Sequence, residues 1–287
     1  MKYAVFTVST PELSPEEVVA KLKEIGYDGV EWRVIDQDPT ARAGFWSNNK
    51  ATIPFSTFEQ DAPAIRALTE GAGLGLSGVG TYVLCDDLPG VEAAIGGVKA
   101  LGASRFRVRV PNYDGRAPFK PIWDAAKAQY RIVVDLAARH DVKALLELHH
   151  RSIVPSASAA RLFLDDLDPS HVGVIHDAGN MVYEGFEAYR MGLEMLGPYL
   201  AHIHVKNARW FPGKFEADGT LSWSCGWAPV YKGSADMRDL MRAVRDVGYD
   251  DWVAFEDFST ERPLEDRLKD NLEYIKKIVA NLATEAG

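Results

Sequence analysis

Short apolar runs alternate along the chain with longer stretches in which apolar side chains recur every three or four residues. The short runs are rich in Val, Ile and aromatic residues, as buried parallel strands are, and the longer stretches have the spacing of amphipathic helices. The pattern predicts eight strands, each followed by a helix, at residues 3–7, 29–33, 76–83, 105–110, 143–148, 172–175, 200–205 and 252–256.

Helix start and stop signals agree with this pattern. Ser14 precedes Glu17 by three residues, as in a capping box, Ser156 and Asp236 precede two further helical stretches, and Gly26 closes the first helix. Eight strand–helix units in 287 residues predict an α/β fold. The economical arrangement is a single (β/α)8 TIM barrel that forms one domain over residues 1–287, with an open doubly wound sheet as the alternative.

Two predicted connections, residues 35–55 and 207–230, are longer than a barrel requires. The first contains Trp46, and the second contains Trp210, Trp223 and Trp227. Connections that follow barrel strands lie on the face where barrel enzymes place their active sites, so both segments are candidate lids. Exposed aromatic residues also mark subunit contacts, so a homo-oligomer interface is the alternative.

Composition and charge narrow the function classes. With 47% hydrophobic and 25% charged residues, the chain is typical of a globular protein, and its net charge of −9 argues against a nucleic-acid partner. Two cysteines and the absence of an 18-residue apolar stretch or a signal-peptide pattern lead us to expect a cytoplasmic protein without a membrane partner. The GxGxxG match at residues 73–78 precedes a strand instead of following one, so no nucleotide cofactor is expected.

Four polar residues stand at or just after the last four predicted strands. They are Glu147, Asp177, His204 and Glu256. Neighbouring barrel strands are about 4.8 Å apart, so inward side chains at these ends can converge on one ion. Three carboxylates and an imidazole suit Mn²⁺, Mg²⁺ or Co²⁺.

The alternation of side chains along a strand places His202, His204 and Lys206 on one face. Lys206 therefore points inward and is a candidate contact for a charged substrate oxygen. His202, one layer deeper, is interpreted as a hydrogen-bonded core residue, or as a group that orients a metal ligand. Trp32 and Trp210 follow strand ends and are candidates for the apolar wall on which a sugar ring lies.

The strand-two and strand-end segments, taken in order, resemble the xylose-isomerase-like barrel superfamily, which includes ketose 3-epimerases, hydroxypyruvate isomerase and inosose dehydratase. The resemblance spans nearly the whole chain and is carried by residues 27–31, 146–147, 177–180, 202–206 and 255–256. It implies that the four strand-end residues bind one divalent metal, with Mn²⁺ expected first and Mg²⁺, Co²⁺ or Zn²⁺ as alternatives. It also implies that Glu147 and Glu256 act as the acid/base pair.

The resemblance further implies a substrate-binding arginine at Arg209, whereas Asn180 and Lys206 depart from the ketose 3-epimerase pattern, which has histidine and glycine there. Both positions are candidate substrate contacts. The implied activity is isomerisation or epimerisation of a small sugar or polyol by proton transfer through a metal-stabilised enediolate. The alternatives are a dehydratase on an inosose-like or 3-keto sugar, an endonuclease IV-like phosphodiesterase, and a non-catalytic barrel. Seven histidines and a net charge of −9 are a poor match for the phosphodiesterase.

Overall fold

The computed structural model describes residues 1–38, 41–185 and 187–285, and its centre is a closed barrel of eight parallel strands. The prediction of a (β/α)8 TIM barrel is confirmed. Around the barrel the strands follow the order β1, β10, β7, β6, β5, β4, β3, β2. The barrel strands are β1 (Lys2–Phe6), β2 (Gly29–Val34), β3 (Gly75–Thr81), β4 (Arg105–Arg107), β5 (Lys143–Glu147), β6 (Val172–Asp177), β7 (Leu200–Val205) and β10 (Trp252–Phe255).

Helices surround the barrel. They are α1 (Pro15–Ile25), α2 (Phe58–Gly71), α3 (Leu88–Leu101), α4 (Phe119–Arg139), α5 (Ala157–Leu164), α6 (Ala178–Met181), α7 (Tyr189–Leu196), α8 (Met237–Asp246) and α9 (Leu264–Glu285). The predicted capping box is present, since the Ser14 hydroxyl accepts from the Glu17 amide at 3.3 Å and the Glu17 carboxylate accepts from the Ser14 amide at 2.7 Å. Gly26 ends α1 with a φ of 95°. Among the described helices, none is long and apolar enough to cross a membrane.

The segment at residues 207–230, predicted as a long loop, folds as an antiparallel hairpin of β8 (Asn207–Phe215) and β9 (Leu221–Ala228). The sequence contains the signal for it, because Asp218-Gly219 lies between two segments rich in aromatic residues and Gly219 takes a φ of 86°. The hairpin continues almost directly from β7, so it stands on the rim at the carboxyl ends of the strands.

The other long connection follows β2, and its residues 39–40 lie outside the described part. Ile53 forms a bridge with Val34 at the end of β2. The Asn49 side chain is buried and donates to the Val8 carbonyl at 3.0 Å. These contacts attach the connection to the ends of β1 and β2, so it lies on the same rim as the hairpin.

The amino-terminal end of the barrel is filled by the Trp252 side chain. Gly29 on β2 and Gly75 on β3 make room for it, because a Cβ on Gly29 would lie 2.6 Å from the indole and 2.5 Å from the Gly75 carbonyl oxygen. The Trp252 ring therefore packs directly against β2 and β3 at this end of the barrel.

We expect Gly29→Ala to lower the free energy of unfolding by about 1–3 kcal/mol, because backbone and a confined ring must both move to admit the methyl group. Gly71→Ala is the matched control, since no atom lies within 4 Å of its Cβ position. Urea unfolding measures both variants. Equal stability of the two proteins would show that the barrel bottom is not packed as described.

Candidate metal centre and cavity

Glu147, Asp177, His204 and Glu256 converge at the carboxyl end of the barrel. One ligand atom from each of the four residues lies within 4.8 Å of every other, and all four residues are buried. Glu147 and Asp177 are the last residues of β5 and β6, His204 is on β7, and Glu256 directly follows β10. The structure thus brings together the four residues that the sequence singled out.

The His204 imidazole is aimed into this cluster. Its Nδ1 atom lies 3.5 Å from an Asp177 carboxylate oxygen, 3.8 Å from Glu147 and 3.9 Å from Glu256. Its Nε2 atom lies 3.0 Å from the carboxylate of Glu31. A carboxylate only accepts, so Nε2 carries the proton and donates it, and in the neutral ring the Nδ1 lone pair points at the carboxylates.

Glu31, on β2, was not among the predicted site residues. Its Oε2 atom accepts from His202 Nε2 as well as from His204 Nε2, each at 3.0 Å. Burial alone would raise the pKa of Glu31, but the two histidines hold it well below its ordinary value. His202 is thus a buried residue hydrogen-bonded to the same carboxylate that holds His204, which is consistent with both interpretations of it. Position 31 was in the strand-two segment that carried the resemblance, and strand alternation places it inward.

The Lys206 ammonium group lies among the carboxylates, as its place in the strand alternation predicted. Its Nζ atom is 2.7 Å from Asp177 Oδ2, and it also donates to Glu256. Burial would lower the pKa of Lys206, yet Asp177 and Glu256 raise it well above its usual range. The amine is thus held as a cation between two of the four candidate ligands.

Glu147 is fixed by two partners, one from β4 and one from α6. Arg107 donates to its carboxylate at 2.5 Å, and the Asn180 amide donates to the other oxygen at 3.0 Å. Burial would raise the pKa of Glu147, but Arg107 holds it well below its usual range. Burial raises the pKa of Glu256 to about 7, although Lys206 and His204 oppose this effect. The two carboxylates therefore differ in proton affinity.

The donor set fits a divalent cation. In the described part of the chain, the buried His204 Nδ1 atom has no hydrogen-bond partner, although it faces three carboxylates. Three oxygen ligands and one imidazole nitrogen, whose other nitrogen donates to a carboxylate, match the usual environment of a bound Mn²⁺, Mg²⁺ or Zn²⁺ ion.

A cavity of about 490 Å³ opens above the cluster, a size that is ordinary for a small-molecule site. Glu147, Lys206 and Glu256 form part of its floor. Aromatic side chains from distant segments form much of its wall. These wall residues are Trp46, Tyr82, Tyr183, Trp227 and Phe258.

The other predicted contacts lie elsewhere. Trp32 is fully buried and donates to the Thr69 hydroxyl of α2 at 3.1 Å, because it alternates with the inward residues of β2 and so faces the helices. Trp210 donates to the Val182 carbonyl at 2.8 Å, and the Arg209 guanidinium lies 4.6 Å above the Phe211 ring. The structure does not bring these three residues to the cavity wall, and Asn180 is hydrogen-bonded to two residues that line it, Glu147 and His150.

Comparison with known proteins places this architecture in a family. The model of the xylose isomerase-like TIM barrel family matches residues 19–278. The chain therefore belongs to the xylose isomerase-like TIM barrel family. A search of curated proteins finds no match.

Solved structures share the fold at low sequence identity. The 3-keto-D-glucoside 4-epimerase YcjR from E. coli is 17% identical, with a TM-score of 0.70 over 96% of this chain and 99% of the other. D-psicose 3-epimerase from Clostridium cellulolyticum H10 is 15% identical, with a TM-score of 0.72 over 97% and 99%. The IOLI protein with a bound zinc atom is 16% identical, with a TM-score of 0.71 over 99% of both chains. At these identities the likeness shows the fold alone.

We expect Arg107→Gln to lower the free energy of unfolding by about 3–5 kcal/mol, because it leaves the buried Glu147 carboxylate without its strongest partner. Arg66→Gln is the matched control, since the Arg66–Glu70 pair on α2 is about half exposed and such pairs contribute about 0–1 kcal/mol. Denaturant unfolding of both variants measures the difference. Losses of the same size would contradict a tight buried pair.

Proposed function

We propose that this protein is a divalent-metal-dependent sugar isomerase or epimerase that moves a proton between carbon atoms or between faces of one carbon. The observation that carries the proposal is the His204 Nδ1 atom facing three buried carboxylates, two of which, Glu147 and Glu256, line an aromatic-walled cavity. Family membership and the epimerases among the similar structures support it.

Glu147, Asp177, His204 and Glu256 would hold the metal, with Mn²⁺ the first expectation because oxygen ligands predominate. When bound, a divalent ion there supplies Lewis-acid stabilisation of negative charge on a carbonyl or hydroxyl oxygen of the sugar. Glu31 positions the site, since its carboxylate fixes which nitrogen of His204 carries the proton.

Glu147 and Glu256 move the proton. Arg107 keeps Glu147 ionised and therefore able to accept a proton from carbon, and the more basic Glu256 carboxyl is suited to hold one and return it. Their strands are separated by β6 and β7 in the barrel, so the two groups approach a sugar from different positions. That geometry supports the assignment of abstraction to one carboxylate and return to the other.

Lys206 and the aromatic wall serve the same step. The Lys206 ammonium lies 2.7 Å from Asp177 and lines the cavity. It is therefore placed to donate a hydrogen bond to a substrate oxygen on which negative charge develops. Trp227 and Phe258, whose ring centroids are 5.3 Å apart, lie over Lys206 and exclude water from it. Trp227 therefore takes the role of apolar wall that the sequence assigned to Trp32 and Trp210.

We expect His204→Ala to abolish high-affinity metal binding and Glu31→Gln to weaken it about 10–100-fold, because the amide no longer fixes the imidazole tautomer. Isothermal titration of the metal-stripped proteins with Mn²⁺ measures both effects. Glu70→Gln, which changes an exposed carboxylate on α2, serves as the control and should bind Mn²⁺ as the wild type does. Wild-type affinity in His204→Ala would exclude the proposed centre.

We expect the metal-loaded protein to introduce solvent deuterium into a carbon-bound position of its substrate, assayed by mass spectrometry across a panel of ketoses, sugar acids and sugar phosphates. Glu147→Gln and Glu256→Gln should each lower kcat by about 10²–10⁴-fold, because each removes a proton carrier. Glu24→Gln on α1 is the control and should leave kcat unchanged. Turnover with loss of water in place of isomerised product would identify a lyase, and near-wild-type rates in either variant would contradict the two-carboxylate mechanism.

A further inference from the structure

Two of the cationic side chains that line the cavity have no carboxylate partner. Four cations line it: Arg107, Arg109, Arg151 and Lys206. Arg107 pairs with Glu147, and Lys206 pairs with Asp177 and Glu256. No carboxylate in the described part of the chain lies within 4.0 Å of the Arg109 or Arg151 guanidinium. Arg109 and Arg151 therefore line the cavity as cations without an ion-pair partner, in a protein whose net charge is −9.

Arg109 is the more constrained of the two unpaired groups. It is half-buried, and its guanidinium carbon lies 5.9 Å from the Tyr82 ring centroid, while that of Arg107 lies 4.6 Å from the same centroid. The Arg33 guanidinium lies 5.1 Å from the same centroid, so three guanidinium groups surround one ring. Burial and the nearby Arg107 charge lower the pKa of Arg109, although Glu147 and Tyr82 oppose this effect. An anion would relieve both of the lowering effects.

Arg109 also reaches the proposed proton-transfer site. It lines the large cavity and a small extension of about 20 Å³ that it shares with Glu147 and His149. A sugar whose reacting carbon lies at Glu147 can therefore also reach Arg109.

We infer that the substrate is an anionic sugar, whose carboxylate or phosphoryl group binds the Arg109 guanidinium while its reacting carbon lies at the Glu147–Glu256 pair. The planar guanidinium presents parallel N–H donors that match both groups, and Arg151 at the outer edge adds a second positive charge. This inference rests on the proposed function for the position of the reacting carbon, but the binding of the anion does not depend on turnover.

Equilibrium binding of three probes to the metal-loaded protein tests the inference: D-fructose 6-phosphate, D-glucuronate and neutral D-fructose. We expect one or both anionic probes to bind at least tenfold more tightly than D-fructose, and the tighter of the two identifies the group that the site accepts. Arg109→Gln should weaken that binding about 10–100-fold, since a charge-assisted bidentate contact is lost. Arg66→Gln removes the same charge from the outside of α2 and should bind as the wild type does.

Arg109→Lys is the second variant, since it retains the charge but loses the planar pair of donors, and it should bind the anionic probe with intermediate affinity. Thermal unfolding of each variant shows that the barrel is intact. Equal affinity for neutral and anionic probes, or wild-type affinity in Arg109→Gln, would overturn the inference. Deuterium exchange on neutral ketoses alone would uphold the proposed function and reject an anionic substrate. Arg109-dependent anion binding without any deuterium exchange would uphold the anion site and contradict the proposed function.

Discussion

Four carboxylates buried at one end of the barrel set the main constraint on this structure. Glu31, Glu147, Asp177 and Glu256 are all within a few side-chain lengths of each other, and desolvated carboxylates of like charge are stable only when cations or donors compensate them. Each pairing joins different strands: Arg107 on β4 holds Glu147 on β5, Lys206 after β7 holds Glu256 after β10, and the β7 histidines hold Glu31 on β2. The buried charges are therefore balanced only when the barrel is closed.

That condition explains which parts of the site could be predicted from sequence. Glu147, Asp177 and Glu256 stand out because each ends an apolar run, where a carboxylate has no reason to be unless it meets a partner. Arg107 and Glu31 lie inside strands, and their partners are 40 or more residues away in the chain. Only the closed barrel shows which distant strand each of them faces.

The aromatic wall was less accessible to prediction, for a geometric reason. Trp32 directly follows the inward-facing Glu31 in the sequence motif, but the strand alternation turns it toward α2. Trp227 enters the cavity wall because the segment after β7 is a hairpin, whose register pairs it with Ala208 near the base. The direction of a side chain in a hairpin depends on that register, and a loop interpretation contains no information about it.

The hydrogen bond from His204 to Glu31 has a consequence for how the molecule is assembled. All four candidate ligands belong to the second half of the barrel, from β5 to β10, whereas Glu31 is contributed by the first half, 173 residues earlier in the chain. A half-barrel fragment would carry every donor atom and still leave the imidazole free to exchange its proton between two nitrogens. The first half thus supplies the carboxylate that determines which nitrogen of His204 carries the proton, and it does so only once the barrel has closed.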